Sequence, residues 1–160
     1  MYDLLKISFQ TAYDHYNVTS EEKQLIQSRH ESWHHTLVPT LFPHAEDVLR
    51  EGMRRGRRNV IYTNRGETVY EYLEHLGVLD CFSDFILHAD KPNHEILLNT
   101  VEQRDWDRGE CVVIGDREVD MLAAYAVGID GILFDPDSRV KDHHGTYVIR
   151  SMQEMFPFLL

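Results

Sequence analysis

The 160-residue chain is poor in positive charge. Sixteen Lys and Arg stand against 27 Asp and Glu, for a formal charge of -11. Such a field repels nucleic acid and anionic membranes, which excludes a groove that tracks phosphates. It also repels a phosphorylated small molecule, unless a bound cation or a local lysine reverses the sign at the site. Cysteine is scarce too. The two present, Cys81 and Cys111, are read as free thiols in a reducing compartment rather than as a disulfide. No apolar run is long enough to span a bilayer. Asp3 and Lys6 interrupt the first apolar residues, which argues against a secretory signal. A cytoplasmic location is expected, with neither nucleic acid nor membrane as partner. One further absence matters more: residues 1–43 contain no convincing strand.

What those residues do contain is helical pattern. Leu4, Leu5, Ile7, Phe9, Ala12, Tyr13 and Tyr16 fall mostly on one helix face, and Asn17 ends the run. Thr19 or Ser20, followed by Glu22, caps a second helix that runs towards Trp33. Pro39 and Pro43 mark a connector. From His44 helices and strands alternate. Helices are expected over 45–55, 67–76, 92–103, 118–127 and 152–159. Strands are expected over 59–63, 85–88, 111–114, 131–134 and 147–149. Gly56, Gly77 and Gly128 stop three of the helices. This alternation predicts an α/β fold with a parallel sheet covered on both faces. The expected division is a small helical region, 1–43, and an α/β core, 44–160.

In open sheets of this type, ligands bind beyond the carboxyl ends of the strands. Three segments converge there. Thr63 and Asn64 end the first strand, where a hydroxyl and backbone N–H groups hold phosphate oxygens or else cap the next helix. Lys91 precedes Pro92 at a helix start. A cation there opposes the helix dipole unless it meets an anion, although an isolated lysine is usually just solvated. Gly115 and Asp116 end a later strand, and Asp120 follows one helical turn on. Asp116 is either a helix cap or a hard oxygen ligand, and Mg²⁺ takes one or two carboxylates with water and phosphate oxygens. Asp120 supports that shell or bonds the loop. The ten histidines, including the adjacent pairs His34-His35 and His143-His144, read as solvated or half-buried. Arg54, Arg55, Arg57 and Arg58 form a basic cluster at a helix end, where it complements the dipole.

Taken in order, VIYTNRG, ADKPNHE and CVVIGDREVDMLAAYAVGIDGILFD resemble the haloacid dehalogenase-like (HAD) hydrolase superfamily. Within it the chain is most similar to the phosphoglycolate phosphatase and beta-phosphoglucomutase type, from about residue 42 to 160. The resemblance implies a Rossmann-like core with a shortened N-terminal helical cap over 1–43. It implies that Thr63 binds the transferring phosphoryl group, with Asn64 helping through the same turn. Lys91 neutralises charge, and Asp116 ligates Mg²⁺ with Asp120 supporting the metal. The implied reaction is hydrolysis of a small phosphorylated metabolite through an aspartyl-phosphate.

The family's Asp-x-Asp-Gly-Thr motif on the first, central strand is absent from this chain. Asp3 is no substitute, having neither an apolar strand before it nor a partner two residues on. Loss of that strand is expected to leave two facing edges about twice the usual 4.8 Å spacing apart, with unpaired backbone groups. Three explanations follow: a native product that begins upstream, a gap closed by rearrangement or by another chain, or a non-catalytic relative that binds or regulates a partner. The intact phosphate-site residues favour the first. Without the nucleophile, the 160-residue chain is expected to turn over little or nothing. A cap this short leaves an open site, so substrate identity is not legible, and neither is oligomeric state.

Overall fold

The computed structural model describes residues 9–34 and 39–160. Two helices come first, α1 (Phe9–His15) and α2 (Ser20–His34). Asn17 adopts a left-handed φ of 51° between them. The predicted cap of α2 forms as a reciprocal pair: Glu22 N–H donates to Thr19 Oγ1 at 3.3 Å, and Thr19 N–H donates to Glu22 Oε2 at 2.9 Å. The part of the first helical pattern before Phe9 lies outside the described residues, as do residues 35–38, while the connector from Pro39 to Pro43 is described and forms no helix or strand.

The core then alternates. Helix α3 (Ala45–Arg54) leads to strand β1 (Asn59–Tyr62), α4 (Thr68–His75), β2 (Phe82–Ile86), α5 (Glu95–Gln103), β3 (Val112–Gly115), α6 (Glu118–Val127), β4 (Asp130–Phe134) and β5 (Tyr147–Ile149). The stops at Gly56, Gly77 and Gly128 all carry positive φ, 77°, 70° and 76°, which a Cβ would strain. Three elements differ from expectation. Strand β2 begins three residues early, because Asn59 sits opposite Phe82 in the register. Helix α5 starts at Glu95 rather than Pro92, because Asp90 is left-handed at φ 52° and Asn93 Oδ1 accepts from Glu95 N–H at 3.0 Å. The closing segment Met152–Leu159 is a 3-10 helix rather than an α-helix, with Pro157 inside it.

All strand pairs are parallel, as expected, but the sheet is split in two. One part pairs β1 with β2, and the other runs β3-β4-β5. Among the described residues no strand lies between β1 and β3. The two parts share one core. Val60, Tyr62 and Ile86 from the first pack with Val113 and Leu133 from the second, under Leu97 and Val101 of α5 and Met121, Ala124 and Val127 of α6. On the opposite face, α3 and the 3-10 helix cover β4 and β5 through Val48, Ile132, Phe134, Ile149 and Met155. A third cluster joins α4 to β1 and β2 through Val69, Leu73, Ile61 and Phe85. Helices α5 and α6 thus join the two half-sheets through one core. On β3 the two residues that alternate with buried Val113 stay open, Val112 at 43% and Ile114 at 45% exposure.

Candidate active site

The ends of β1 and β3 carry the site. Past β1, the Thr63 hydroxyl accepts from Arg65 N–H at 3.1 Å, so its own proton remains available to a ligand. Thr63 N–H donates to the Ile86 carbonyl at 3.0 Å, and Ala89 N–H donates to the Thr63 carbonyl at 3.0 Å. The β1–β2 pairing thereby continues into the loop that follows β2. In that loop His88 and Asp90 both take positive φ, 51° and 52°. Gly66 gives the loop room, since a Cβ there would lie 2.6 Å from His88 Cε1.

Asn64 uses its side chain on the same loop. Its Oδ1 accepts from Lys91 N–H at 2.8 Å, and its Nδ2 donates to the Lys91 carbonyl at 3.3 Å. A flipped amide would set donor against donor, which fixes the assignment.

The Lys91 side chain runs inward. Its Nζ donates to the Tyr62 carbonyl at 3.0 Å and to Asp120 Oδ1. It also lies over the Tyr62 ring, 4.6 Å from the centroid. The side chains of Lys91 and Asp120 are only 12% and 6% exposed. The anion that the sequence argument requires for Lys91 is therefore supplied from within the chain. Burial, and then the Asp120 charge, push the Tyr62 phenol well above its ordinary range. Its hydroxyl is buried with no hydrogen-bond partner among the described residues.

Asp120 is fully engaged. While Oδ1 meets Lys91, Oδ2 accepts from Arg117 N–H at 3.1 Å in a capping box for α6. This close approach needs Gly115, because a Cβ there would clash with Asp120 Cβ, Cγ and Oδ2. Asp116 differs. It is exposed at the end of β3, and among the described residues its carboxylate has no recorded hydrogen bond or ion pair. Of the five expected site residues, Thr63, Asn64, Lys91 and Asp120 are joined through the β1 end and its hydrogen bonds. Asp116 stands free beside them.

Among the described residues, no three His, Cys, Asp or Glu side chains assemble into a metal site. A closed zinc site needs four such ligands. One free carboxylate beside a second, lysine-paired one leaves a net negative charge. That donor set fits a hard cation that keeps its waters and takes phosphate oxygens.

Other features lie outside the five residues. Arg58, just before β1, and Arg104 both lie over the Trp106 ring, at 5.9 and 5.7 Å. In the basic cluster, Arg54 and Arg55 are paired with Glu51 and Arg57 bonds the Leu160 carbonyl. His144 Nδ1 pairs with the buried Glu118 carboxylate, a contact that no local spacing announces. The sequence also holds His30-Glu31-Ser32-Trp33-His34 on α2, an H-E-x-x-H spacing. Those side chains lie outside the described residues. Among the described residues, no helix is long and apolar enough to cross a membrane.

The chain is similar to known hydrolases. A ribulose-1,5-bisphosphate 5-phosphatase of Halopiger xanaduensis is 33% identical over 104 residues, covering 61% of this chain and 43% of that protein. A HAD phosphatase from Thermococcus onnurineus superposes with a TM-score of 0.68 at 26% identity, over 74% of this chain and 58% of that one. The HAD hydrolase YfnB from Bacillus subtilis, in a magnesium-bound form, superposes with a TM-score of 0.66 at 24% identity, over 74% and 55%. The chain thus spans about half the length of these relatives. Residues 1–134 match the family described as haloacid dehalogenase-like hydrolase, and the chain belongs to that family.

Proposed function

We propose that these residues form the phosphate side of a Mg²⁺-dependent phosphatase site for small phosphorylated metabolites, acting in the cytoplasm. The observation that carries this reading is Lys91. It is a buried ammonium held at the mouth of the gap between β1 and β3, between the Tyr62 carbonyl and Asp120. Within a chain of charge -11, this is where a cation offsets an incoming dianion. Thr63 donates its hydroxyl to a phosphoryl oxygen, and Asn64 sets the geometry of the turn. Asp116 is the ligand for Mg²⁺ and Asp120 supports it through Lys91. When bound, the cation supplies charge neutralisation at the phosphate oxygens.

The nucleophile is the missing part. A carboxylate carried on a strand between β1 and β3 would emerge beside Thr63, Lys91 and Asp116. The 160-residue chain alone is therefore proposed to bind phosphate without turning it over. A strand that fills this gap would carry the nucleophile, and the helical region over 1–43 is proposed to serve as the cap. The split sheet also favours a second reading, in which the protein is a non-catalytic relative that binds a partner.

The test has two parts. Inorganic phosphate with Mg²⁺ is titrated into the chain by NMR. It is expected to perturb Thr63, Lys91 and Asp116, and Asp116→Asn is expected to remove the Mg²⁺ dependence. Hydrolysis of p-nitrophenyl phosphate is then compared between this chain and one extended upstream by its native sequence. Turnover that appears only in the extended form supports the phosphatase. A native product that starts at Met1, or phosphate that perturbs none of the three residues, leaves the non-catalytic relative.

A further inference from the structure

We infer that Asn64 is a positioning residue for Lys91 and not itself a phosphate contact; this rests on the phosphate-site reading above. The side-chain amide of Asn64 bonds both polar groups of one backbone residue. It accepts from Lys91 N–H at 2.8 Å and donates to the Lys91 carbonyl at 3.3 Å. A side chain that makes both bonds acts as a peptide group does in a β-ladder, and it extends the β1–β2 pairing by one rung.

The loop needs that rung. Regular pairing ends with Thr63 N–H on the Ile86 carbonyl and Ala89 N–H on the Thr63 carbonyl, while His88 N–H turns back to the Arg65 carbonyl at 3.0 Å. His88 and Asp90 then adopt left-handed φ, a conformation that side chains other than glycine take only when their surroundings hold them there. Asn64 sits opposite the residue that follows. With the backbone of Lys91 held on both sides, its side chain starts from a fixed point and reaches inward to the Tyr62 carbonyl and Asp120. The clamp takes one of the two Nδ2 N–H groups and one Oδ1 lone pair, and holds the plane of the amide against the Lys91 backbone. In this inference the contribution of Asn64 to a bound anion passes through the placement of the Lys91 ammonium.

The experiment is a double-mutant cycle read by two independent signals. Affinity for inorganic phosphate in the presence of Mg²⁺ is measured for the wild-type chain, Asn64→Ala, Lys91→Met and the double variant. Asn64→Ala is expected to weaken binding by about tenfold in the wild-type background and by nothing further once Lys91 is gone. Equal loss in both backgrounds would mean that Asn64 meets the anion directly, and would overturn the inference. The second signal is hydrogen exchange at the Lys91 backbone amide. Asn64→Ala is expected to speed it at least about tenfold. Asn64→Asp keeps the acceptor and loses the donor, and is expected to restore most of the protection. An unchanged Lys91 amide in Asn64→Ala would sink the clamp whatever phosphate does. If the wild-type chain binds no phosphate, the phosphate-site reading and the positioning role that rests on it both fail, and the exchange arm still decides whether the clamp exists.

Discussion

Lys91 and Asp120, 29 residues apart, form an ion pair inside the core, and Lys91 Nζ also takes the Tyr62 carbonyl. The pair connects the loop after β2 with the first turn of α6. It therefore ties together the two half-sheets at the end where the site lies.

Breaking this pair should be costly on one side only. Lys91→Met leaves the Asp120 carboxylate, 6% exposed, without its cation. The expected loss is about 3 kcal/mol in urea unfolding. The double variant Lys91→Met with Asp120→Asn removes the orphaned charge and should lose less than the sum of the two single changes. Strict additivity would show that the pair does not form in solution.

Two glycines should respond in opposite ways. At Gly115 an added methyl meets Asp120 Cβ, Cγ and Oδ2, and Asp120 is pinned by α6 and by Lys91. Gly115→Ala should destabilise by about 1–3 kcal/mol and disturb the Lys91 resonances. At Gly66 the methyl meets the His88 ring at 2.6 Å, but that side chain is 66% exposed and able to swing away. Gly66→Ala should stay within about 0.5 kcal/mol of wild type. Thermal melts of the two variants, run side by side, provide the check.

Much of this was legible in the sequence, for identifiable reasons. Helix periodicity with glycine stops marks α3, α4 and α6 to within a residue or two, because a left-handed C-terminal turn has a strong residue preference. The strand-end positions of Thr63 and Asp116 follow from short apolar runs. The β2 boundary was less clear, because Phe82, Ser83 and Asp84 carry no apolar run and are strand only through pairing with β1. The bond from Asp120 to its own loop was among the expectations, but its pairing with Lys91 and the partner of Asn64 were not legible. Asn64 reaches Lys91 27 residues away, and Glu118 meets His144 26 residues away. No local spacing encodes such contacts. The division of the sheet between β1-β2 and β3-β4-β5 accords with an expectation that came from the family resemblance and not from the residues themselves.

Acid stability should depend in part on Glu51. Its carboxylate receives Arg54 and then Arg55, and its pKa is lowered from 4.5 to about 2. A depressed carboxylate adds stability above its unfolded pKa and loses it as pH falls towards the folded value. Glu51→Gln should therefore melt below wild type at pH 7. The difference should narrow from pH 4.5 downwards and close near pH 2. A difference that persists unchanged at pH 2 would assign the effect to packing instead.

The open edge of β1 makes the last prediction. Thr63 N–H donates to the Ile86 carbonyl of β2. Polar groups alternate sides along a strand, so Ile61 faces β2 as Thr63 does. Val60 and Tyr62 then face the gap, where Lys91 already takes the Tyr62 carbonyl. Amide exchange at Val60 and Tyr62 should accordingly be faster than at Ile61 and Thr63, although all four residues are half-buried. In a form of the protein that fills the gap with a strand, the slow and fast pairs should become alike. Lys91 would then share the Tyr62 end of β1 with that strand, so its resonances should move in the same sample. Equal protection of all four amides in the 160-residue chain would mean that something already pairs with this edge, and the nucleophile would have to be sought elsewhere.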